Sequence, residues 1–489
     1  MTDNSTPPAR PAASVFHEGF CAPQARTFVL VSAILASALS YIDGAVVAIA
    51  MPAIRSSIDA NLTQAQWVHN AYLLTLASLI LVGGAMSDRF GLARMFGLGI
   101  TGFVVASIFC ALAPTAEWLI AARGLQGVGA AIMVPGSLAV IARAYPREER
   151  GRAIGIWAAS SAVTTALGPI IGSLALTIGG VDMWRWIFAI NLPLGAIALW
   201  LLWRSINTDR RSTEKPIDLP GAGLAVLAFF CLAWGLTSAE HAPRPQSIAW
   251  IGTGAIALAA FLWVEAVRRH PMMPLSLFRS PVFSAANLYS FLFYSGLSIV
   301  FFFLPMALVS GWGLREIEAS LAFAPIPVFM SVLSSRLGKL ADRYGPAPFM
   351  FAGGAVSAIG YAIMALVVPD QRFFDGILPA MCVIALGMAL LIAPLSTAIM
   401  TAVDETHAGL ASGINNAVSR VAGLLSVAAS GGVIASAYSR AGGTVSYGAI
   451  SDAASHAAAT SAGLAVAAWM AAVLCALSAM IALFLLLRD

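Results

Sequence analysis

Long apolar stretches recur along this chain, and short polar segments separate them. About fourteen of these stretches reach the roughly 20 residues that a helix needs to cross the hydrocarbon core of a bilayer. A helix suits that environment because it satisfies its own backbone hydrogen bonds. The pattern therefore predicts transmembrane helices at residues 27–53, 64–86, 95–113, 117–142, 152–177, 186–203, 218–238, 247–266, 282–310, 317–337, 347–368, 376–401, 409–435 and 462–487.

The composition supports a membrane protein. Of the 489 residues, 59% are hydrophobic and only 10% are charged, and the mean hydropathy is +0.85. Soluble domains carry about 25% charged residues, which argues against an ordinary globular enzyme. We therefore expect an all-α polytopic membrane protein that is not an enzyme. The five cysteines are scattered without a C-x-x-C pair, which indicates neither a disulfide framework nor a metal site.

The basic residues indicate an orientation. If the amino terminus is cytoplasmic, most of the 27 Lys and Arg residues fall in cytoplasmic loops, with clusters at 143–152 and 204–215. The opposite loops then hold only Arg55, Arg185, Arg244, Arg315, Arg372 and Arg440. Because positive charge favours the cytoplasmic side, we expect both termini in the cytoplasm and a plasma (inner) membrane location. Residues 1–26 are polar, lack the features of a signal peptide, and are expected to form a disordered cytoplasmic tail.

A charged pattern, G-x-x-x-D-R-x-G, follows the second apolar stretch and occurs again in the second half of the chain. The first copy consists of Gly84, Asp88, Arg89 and Gly91, with Arg94 just beyond. The second copy consists of Gly338, Asp342, Arg343 and Gly345. It follows the tenth predicted span, so the two copies are eight spans apart. Two six-helix bundles alone would place them six spans apart, and the pattern therefore predicts a duplicated transporter with two inserted helices.

The repeat predicts the domain organisation. We expect an N-terminal six-helix bundle at 27–203, a cytoplasmic linker with two extra helices at 204–281, and a C-terminal six-helix bundle at 282–489. Parallel halves of this kind hold their substrate site between them near the middle of the bilayer. The charged hairpins are expected to act as gating loops, with Gly84 permitting close approach and Gly91 a tight turn. The longest loop on the opposite side is expected at 436–461.

Three ionisable residues lie deep in predicted spans, where charge is costly and usually functional: Asp43, Arg123 and Arg420. Asp43 is the only acid well inside the hydrocarbon region. It either loads and releases a proton or stays permanently paired and holds helices together. Arg123 shares a helix face with Gln126, and it tunes the protonation of Asp43, holds an anionic substrate, or satisfies backbone carbonyls. For Arg420 the sequence leaves function and structure equally open.

Further candidates are polar, aromatic or small residues in other spans. The cavity or substrate candidates are Gln126, Asn70, Phe291, Tyr294, Asn415 and Arg420. In the fifth span, Gly168 and Gly172 allow close helix contact and Pro169 introduces a kink. A G-x-G-x-x-G match at 97–102 lies inside an apolar span without a preceding strand, and neither a P-loop nor H-E-x-x-H occurs. We expect no cofactor, no metal and no nucleic-acid partner.

Together these motifs resemble the major facilitator superfamily, and specifically its fourteen-helix drug:proton antiporter branch, over nearly the whole chain. The duplicated hairpin is similar to the family's signature loop, which latches the cytoplasmic side when the cavity faces outward. The family has a fourth-helix motif that is linked to proton coupling, and this chain is similar to it at Arg123, Gln126 and Gly127. The fifth-helix antiporter motif is resembled by Gly168, Pro169 and Gly172. The chain departs from the family pattern at Leu92, Ala93, Ala45, Ala48 and Ser173.

The resemblance implies a proton-coupled secondary antiporter that exports hydrophobic or amphipathic compounds, such as drugs and antibiotics, by alternating access. In that interpretation Asp43 exchanges protons and Arg123 tunes its protonation. The partners are then a small-molecule substrate, protons and membrane lipids, and the protein is expected to be a monomer. Two alternatives stay open: export of one specific metabolite, lipid or siderophore, or a non-transporting scaffold built on the same fold.

Overall fold

The computed structural model describes residues 20–209, 217–239, 243–404 and 407–486. Its α-helices are α1 (Arg26–Ser57), α2 (Leu62–Phe90), α3 (Leu92–Ala111), α4 (Ala116–Ala144), α5 (Arg147–Gly179), α6 (Trp184–Ala189), α7 (Asn191–Ser205), α8 (Leu219–Ser238), α9 (Arg244–Val267), α10 (Pro281–Met306), α11 (Glu316–Ser320), α12 (Pro325–Tyr344), α13 (Ala347–Val367), α14 (Leu378–Thr401), α15 (Ala408–Arg440) and α16 (His456–Leu486). Within these ranges no β-strand forms, apart from an isolated bridge between Cys21 and Ile206. Most of the expected tail at 1–26, and residues 210–216 of the expected linker, lie outside the described ranges.

Thirteen helical segments of the described residues are long and apolar enough to cross a membrane. The remaining predicted span corresponds to α5, a continuous helix of 33 residues. Its described apolar part, Gly168–Gly179, falls short of the length of a span. The structure therefore confirms an all-helical polytopic membrane protein across the described residues, with thirteen candidate spans where the sequence predicts fourteen.

The helices form two groups with matching internal contacts. In the first group, α4 packs along α2 and α3, while α1 packs on α5 and α7. In the second group, α14 packs along α12 and α13, while α10 packs on α15 and α16. The groups meet along one seam between α2 and α15 and along a second seam where α5 contacts α11 and α12. Corresponding helices thus make corresponding contacts, as expected of a duplicated unit.

The two helices between the groups form a hairpin. α8 packs on α9, and it also lies against α2 of the first group and α15 of the second. On the α2 side, the ring of Trp67 lies 5.6 Å from the ring of Phe230 and 5.3 Å from that of Trp234, between centroids. Aromatic pairs at such distances contribute beyond their buried area. The hairpin is therefore attached to both groups along the first seam.

Buried carboxylates close one end of this hairpin. Asp218 caps α8 by accepting a hydrogen bond of 2.9 Å from the Gly221 N–H, and its carboxylate lies 3.1 Å from the guanidinium of Arg268. Glu265, in the last turn of α9, accepts a 2.8 Å hydrogen bond from the Met273 N–H. A methyl group at Gly221 would lie within 3 Å of oxygens from both carboxylates. The two carboxylates thus surround one glycine.

Single glycines make the turns of the duplicated charged pattern. α2 ends at Phe90 and α3 begins at Leu92, so Gly91, with a φ of +106°, connects them alone. Gly345 follows α12 with a φ of +82°. Glycine adopts these positive φ values without the steric cost of a Cβ. The Asp209 carboxylate accepts a 3.0 Å hydrogen bond from the backbone N–H of Arg94, which ties the first turn to the segment after α7. We call this end of the molecule the Asp88 end.

The tenth predicted span, 317–337, is interrupted in the structure. α11 ends at Ser320, a 3-10 turn covers Leu321–Phe323, and α12 begins only at Pro325. Proline has no backbone N–H and suits the first turn of a helix, so it starts α12 and does not continue α11. The segment Glu316–Ser334 is still one of the thirteen candidate spans, so the tenth span is confirmed although it is not one regular helix. α12 extends further, to Tyr344.

The sixth span, predicted at 186–203, is confirmed within the candidate span Val181–Ser205, in which α6 and α7 are separated at Ile190. One predicted loop was too long. The loop predicted at 436–461 covers only residues 441–455, because α15 continues to Arg440 and α16 begins at His456. The Ala- and Ser-rich ends of that stretch are helical, since alanine has the most favourable helix propensity.

Candidate functional site

A buried carboxylate connects α1 to α4. Asp43 of α1 is 1% exposed. Its Oδ2 lies 2.6 Å from Nη1 of Arg123, and its Oδ1 accepts a 2.9 Å hydrogen bond from Nε2 of Gln126. Arg123 Nη1 also donates to Oε1 of Gln126. Both α4 residues reach the carboxylate because residues three apart on a helix share a face, so both oxygens of Asp43 are hydrogen-bonded.

Arg123 is held on its other sides as well. Its Nε donates a 3.1 Å hydrogen bond to the carbonyl oxygen of Val68. The guanidinium carbon lies 4.4 Å from the ring centroid of Tyr72 and 5.8 Å from that of Phe188, within the range of cation–π attraction. Removing one partner of such a buried pair leaves an uncompensated charge, at a cost of about 3–5 kcal/mol. The pair therefore requires both of its members.

A second ring of hydrogen bonds extends this cluster to α3 and α7. Gln126 Nε2 donates to Ser107 Oγ at 3.0 Å, and Asn191 Nδ2 donates to the same oxygen at 3.1 Å. Ser107 and Asn191 are fully or almost fully buried. Neither residue is predictable from the sequence as part of the site, because one serine or asparagine in an apolar stretch carries no spacing signal. The network joins Asp43 to three further helices.

Two glycines bring α5 against α1 beside Asp43. A Cβ at Gly168 would lie 3.3 Å from the Cα of Ile42, the neighbour of Asp43. A Cβ at Gly172 would lie 2.3 Å from Cγ1 of Val46, which is closer than any real contact. The small residues of this motif therefore set the distance between the two helices. Pro169 lies between them inside the continuous helix α5.

The remaining cavity candidates lie in different environments. Asn415 of α15 donates to Ser290 Oγ at 2.6 Å and to Asn287 Oδ1 at 3.3 Å, both on α10. Phe291 and Tyr294 are half-buried on α10. Asn70 is 0% exposed, and its amide atoms have no hydrogen-bond partner among the described residues. Asn70 is therefore buried with unsatisfied polar atoms, and its role as a cavity or substrate residue stays a prediction.

The charged hairpins at the Asp88 end resemble each other beyond their sequence. The guanidinium of Arg89 lies 5.4 Å from the ring of Phe90, and that of Arg343 lies 5.4 Å from the ring of Tyr344. Asp88 is exposed, and the side chain of Asp342 lies outside the described part. A Cβ at Gly338 would have one neighbour within 4 Å, the Cβ of Ala393 at 3.8 Å.

Gly84 does not make the close approach that we expected. A Cβ at Gly84 would have nothing within 4 Å, whereas one at Gly83 would lie 2.1 Å from the carbonyl oxygen of Ala131. The close contact between α2 and α4 therefore depends on the preceding glycine. The sequence pointed to the wrong member of the pair because a repeat pattern does not show which face of a helix meets its neighbour.

The opposite end of the molecule is joined through Arg55. The sequence placed this residue in the loop after the first span, whereas it lies in the last turn of α1 and is 5% exposed. Its Nε donates to the Ala60 carbonyl at 3.1 Å and its Nη2 to Ser446 Oγ at 3.2 Å, while Nη1 donates to the Tyr447 carbonyl. Burial also raises the pKa of the Tyr447 phenol. We call this end the Arg55 end.

Two further contacts join the groups. Thr177 Oγ1 of α5 donates to Glu316 Oε2 of α11 at 3.4 Å, and the Ile317 N–H donates back to Thr177 Oγ1 at 3.3 Å. On the other seam, Gln66 Nε2 of α2 donates to the Val427 carbonyl of α15 at 2.5 Å. Together with Arg55, these contacts connect the two groups on both seams near the Arg55 end.

The described residues contain no group of three or more His, Cys, Asp or Glu side chains arranged to hold a metal ion. All five cysteines lie in the described residues and are free thiols. The chemistry available in the interior is therefore that of charged, amide, hydroxyl and aromatic side chains.

Two matching groups of membrane-crossing helices with ionisable residues between them define a polytopic membrane transporter. The chain belongs to the Major Facilitator Superfamily, whose sequence model matches residues 33–427. Sequence comparison therefore agrees with the architecture.

Named relatives resemble most of the chain. It is 31% identical over 410 residues to the methylenomycin A resistance protein of Bacillus subtilis, covering 83% of this chain and 87% of that protein. It is also 31% identical over 407 residues to the multidrug resistance protein Stp of Mycobacterium tuberculosis, covering 81% and 73%.

A solved structure has the same fold. The inward-facing, unoccupied structure of a bacterial homologue of the human lysosomal transporter Spinster superimposes with a TM-score of 0.67 at 16% identity. The match covers 95% of this chain and 98% of that one. At this identity the similarity concerns the fold alone.

Proposed function

We propose that the protein is a secondary antiporter that exports hydrophobic or amphipathic compounds, including antibiotics, in exchange for protons. The resistance proteins that match more than four-fifths of the chain support the export role. The two matching helix groups, with a charged cluster in the interior, support alternating access around a central site.

The proposed topology has fourteen spans, with α5 as the additional one, and the Asp88 end in the cytoplasm. The excess of basic residues in the loops of that end supports this orientation. Both termini are then cytoplasmic, in a plasma (inner) membrane. The proposed units are the bundles at 27–203 and 282–489 with the inserted segment at 204–281, and one chain forms the functional unit.

Asp43 is the proposed proton carrier, and its buried contact with Arg123 and Gln126 is the observation that supports this role. A carboxylate is costly in a membrane interior unless it is paired. Protonation removes the negative charge that holds Arg123, and it thereby weakens the connection between α1 and α4. α1 can then shift relative to α10 of the second group, which it also contacts. Release of the proton restores the ion pair.

The two ends of the molecule are the proposed gates. The hairpins that contain Asp88 and Arg343 close the cytoplasmic side when the cavity faces outward. The hydrogen bonds of Arg55 to Ser446 and Tyr447 close the opposite side, and they must break when that side opens. The proton step at Asp43 shifts the balance between these two states.

The test is gradient-driven transport in proteoliposomes. A resistance screen in a drug-sensitive bacterium first identifies an exported compound, and the purified protein is then assayed with and without a proton gradient. Asp43→Asn should lose gradient-driven transport while retaining exchange of the compound across the membrane without a gradient. Asp370→Asn makes the same chemical change at an exposed position and should behave as the wild type. Unchanged gradient-driven export by Asp43→Asn would refute the proton role.

The same screen separates the alternatives. Protection against several unrelated compounds supports a multidrug exporter, whereas protection against one compound supports export of a specific metabolite, lipid or siderophore. A purified protein that moves none of them, although folded, would support the scaffold alternative.

A further inference from the structure

Arg420 lies near the middle of the membrane. It is about 18 Å along the axis from the first residue of α15, at 1.5 Å per residue, and the hydrocarbon core is about 30 Å thick. Its neighbours on α15 face the middle of two other helices. A Cβ at Gly423 would lie 3.3 Å from a Leu73 methyl of α2 and 2.9 Å from the hydroxyl of Ser298 of α10. Arg420 is therefore at the depth where the two helix groups meet.

Among the described residues, the guanidinium of Arg420 has no hydrogen bond and no ion pair within the protein. This distinguishes it from Arg123, which has a carboxylate, an amide and a backbone carbonyl. The hydrogen bonds that Asp43 accepts within the described residues come from Arg123 and Gln126. Arginine keeps its charge even in apolar surroundings. An unmatched charge at this depth is costly and indicates a functional site.

Arg420 is half-buried on α15, and aromatic side chains lie within reach of its charge. Its charge acts on the phenol of Tyr41 in α1, on the imidazole of His69 in α2 and on the phenol of Tyr294 in α10. The His69 ring in turn lies 5.3 Å from the ring of Phe302. These rings come from α1, α2 and α10, so they belong to both helix groups. Arg420 thus presents one half-buried positive charge near aromatic side chains.

We propose that Arg420 recognises an anionic oxygen group on the substrate, so that the preferred substrates are amphipathic anions such as aromatic carboxylates. The planar guanidinium binds a carboxylate through two parallel hydrogen bonds, and the surrounding rings accept the apolar part of the molecule. A cationic compound meets a like charge at the same position, which selects against it. This inference rests on the proposed function, since it takes the space between the helix groups as the transport path.

The experiment compares three fluorescent compounds that share an aromatic body and differ in charge. Dansylglycine is an anion, its methyl ester is neutral, and dansylcadaverine is a cation. Their binding to the full-length protein is measured in phosphatidylcholine nanodiscs at pH 7, with empty nanodiscs as the reference for partitioning into lipid. We expect the anion to bind about tenfold more tightly than the ester, a difference of about 1.4 kcal/mol, and the cation to bind least.

Two variants assign the effect to Arg420. Arg420→Gln should remove the tenfold advantage of dansylglycine and leave the affinity for the ester unchanged. Arg420→Lys keeps the charge but cannot bind a carboxylate in bidentate geometry, so it should retain part of the preference for dansylglycine over the ester. Arg440→Gln removes a charge from an exposed position on the same helix and should have no effect. If Arg420→Gln does not fold, the wild-type order of the three compounds and the lysine variant still test the proposal.

The outcomes distinguish this inference from the proton proposal. Equal binding of anion and ester by the wild type, tightest binding of the cation, or an equal loss of both ligands in Arg420→Gln would overturn the role of Arg420. Binding in nanodiscs needs no proton gradient, so failure of the Asp43 experiment leaves this measurement unaffected. Conversely, loss of anion preference has no bearing on gradient-driven transport by Asp43→Asn.

Discussion

Replacing Arg55 with alanine should open the end of the molecule that this residue holds closed. The guanidinium is almost fully buried, and two of its hydrogen bonds, to Ser446 and to the carbonyl of Tyr447, cross from the first helix group to the second. A further contact, from Nη1 to Met306 Sδ at 3.8 Å, also crosses to the second group, while the hydrogen bond to Ala60 stays within the first. The perturbation therefore removes contacts between the groups while leaving the packing of each group largely intact.

The structure sets the expected magnitude. A hydrogen bond from a charged donor contributes about 1.5–3 kcal/mol, so the loss of two such bonds across the groups weakens closure by about 3 kcal/mol or more. Since 1.4 kcal/mol corresponds to a factor of ten, the ratio of open to closed molecules should rise about a hundredfold. Arg55→Lys keeps the charge with fewer donors and should fall between the wild type and the alanine variant.

The assay is a distance measurement between spin labels on opposite groups at this end. Labels introduced by Asp59→Cys and Asp375→Cys lie at exposed positions on the two groups, in a background where the native cysteines are replaced by serine. The wild type should show mainly the short distance, and Arg55→Ala should show a large population of longer distances. Arg315→Ala is the matched control, because Arg315 pairs only with Glu318 of its own group. A folded Arg55→Ala protein with the wild-type distance distribution would refute the gate.

Two further predictions concern close packing, and both are measured by thermal unfolding of the purified protein in detergent. Gly172→Ala places a methyl group 2.3 Å from Val46, and this overpacking should destabilise the protein by about 1–3 kcal/mol. Gly155→Ala is the control on the same helix, because its methyl group meets nothing within 4 Å and should leave the stability unchanged. Gly221→Ala would push against two buried carboxylates at 2.7 and 2.8 Å and should be similarly destabilising, while Gly223→Ala, with nothing within 4 Å, serves as its control. Equal unfolding temperatures within either pair would contradict the packing described.

The sequence predicts the parts of this protein that depend on rare residues in a uniform background. The membrane-spanning helices can be predicted because a sufficiently long apolar stretch rarely forms any other structure. Asp43, Arg123 and Gln126 come together as the helical spacing and the cost of buried charge suggested. Gly91 forms the predicted turn because the residue connecting α2 and α3 needs a positive φ.

Features that depend on distant contacts were not predictable. Arg55 is buried by residues from the loop 441–455, nearly the whole chain away, and that loop has no pattern of its own. Gly83 and Gly84 are adjacent in the sequence, but only Gly83 faces α4, and this depends on where α4 lies in the fold. Ser107 belongs to the site only because its hydroxyl accepts hydrogen bonds from Gln126 and Asn191. Each case depends on tertiary geometry that local composition does not encode.

The position of α8 has a consequence for access from the lipid. Because α8 lies against both α2 and α15, it covers the junction between these two helices. Within the described residues, the junction of α5 with α11 and α12 has no inserted helix packed on it. The inserted hairpin therefore makes the two junctions unequal toward the lipid, although the two bundles are otherwise built alike.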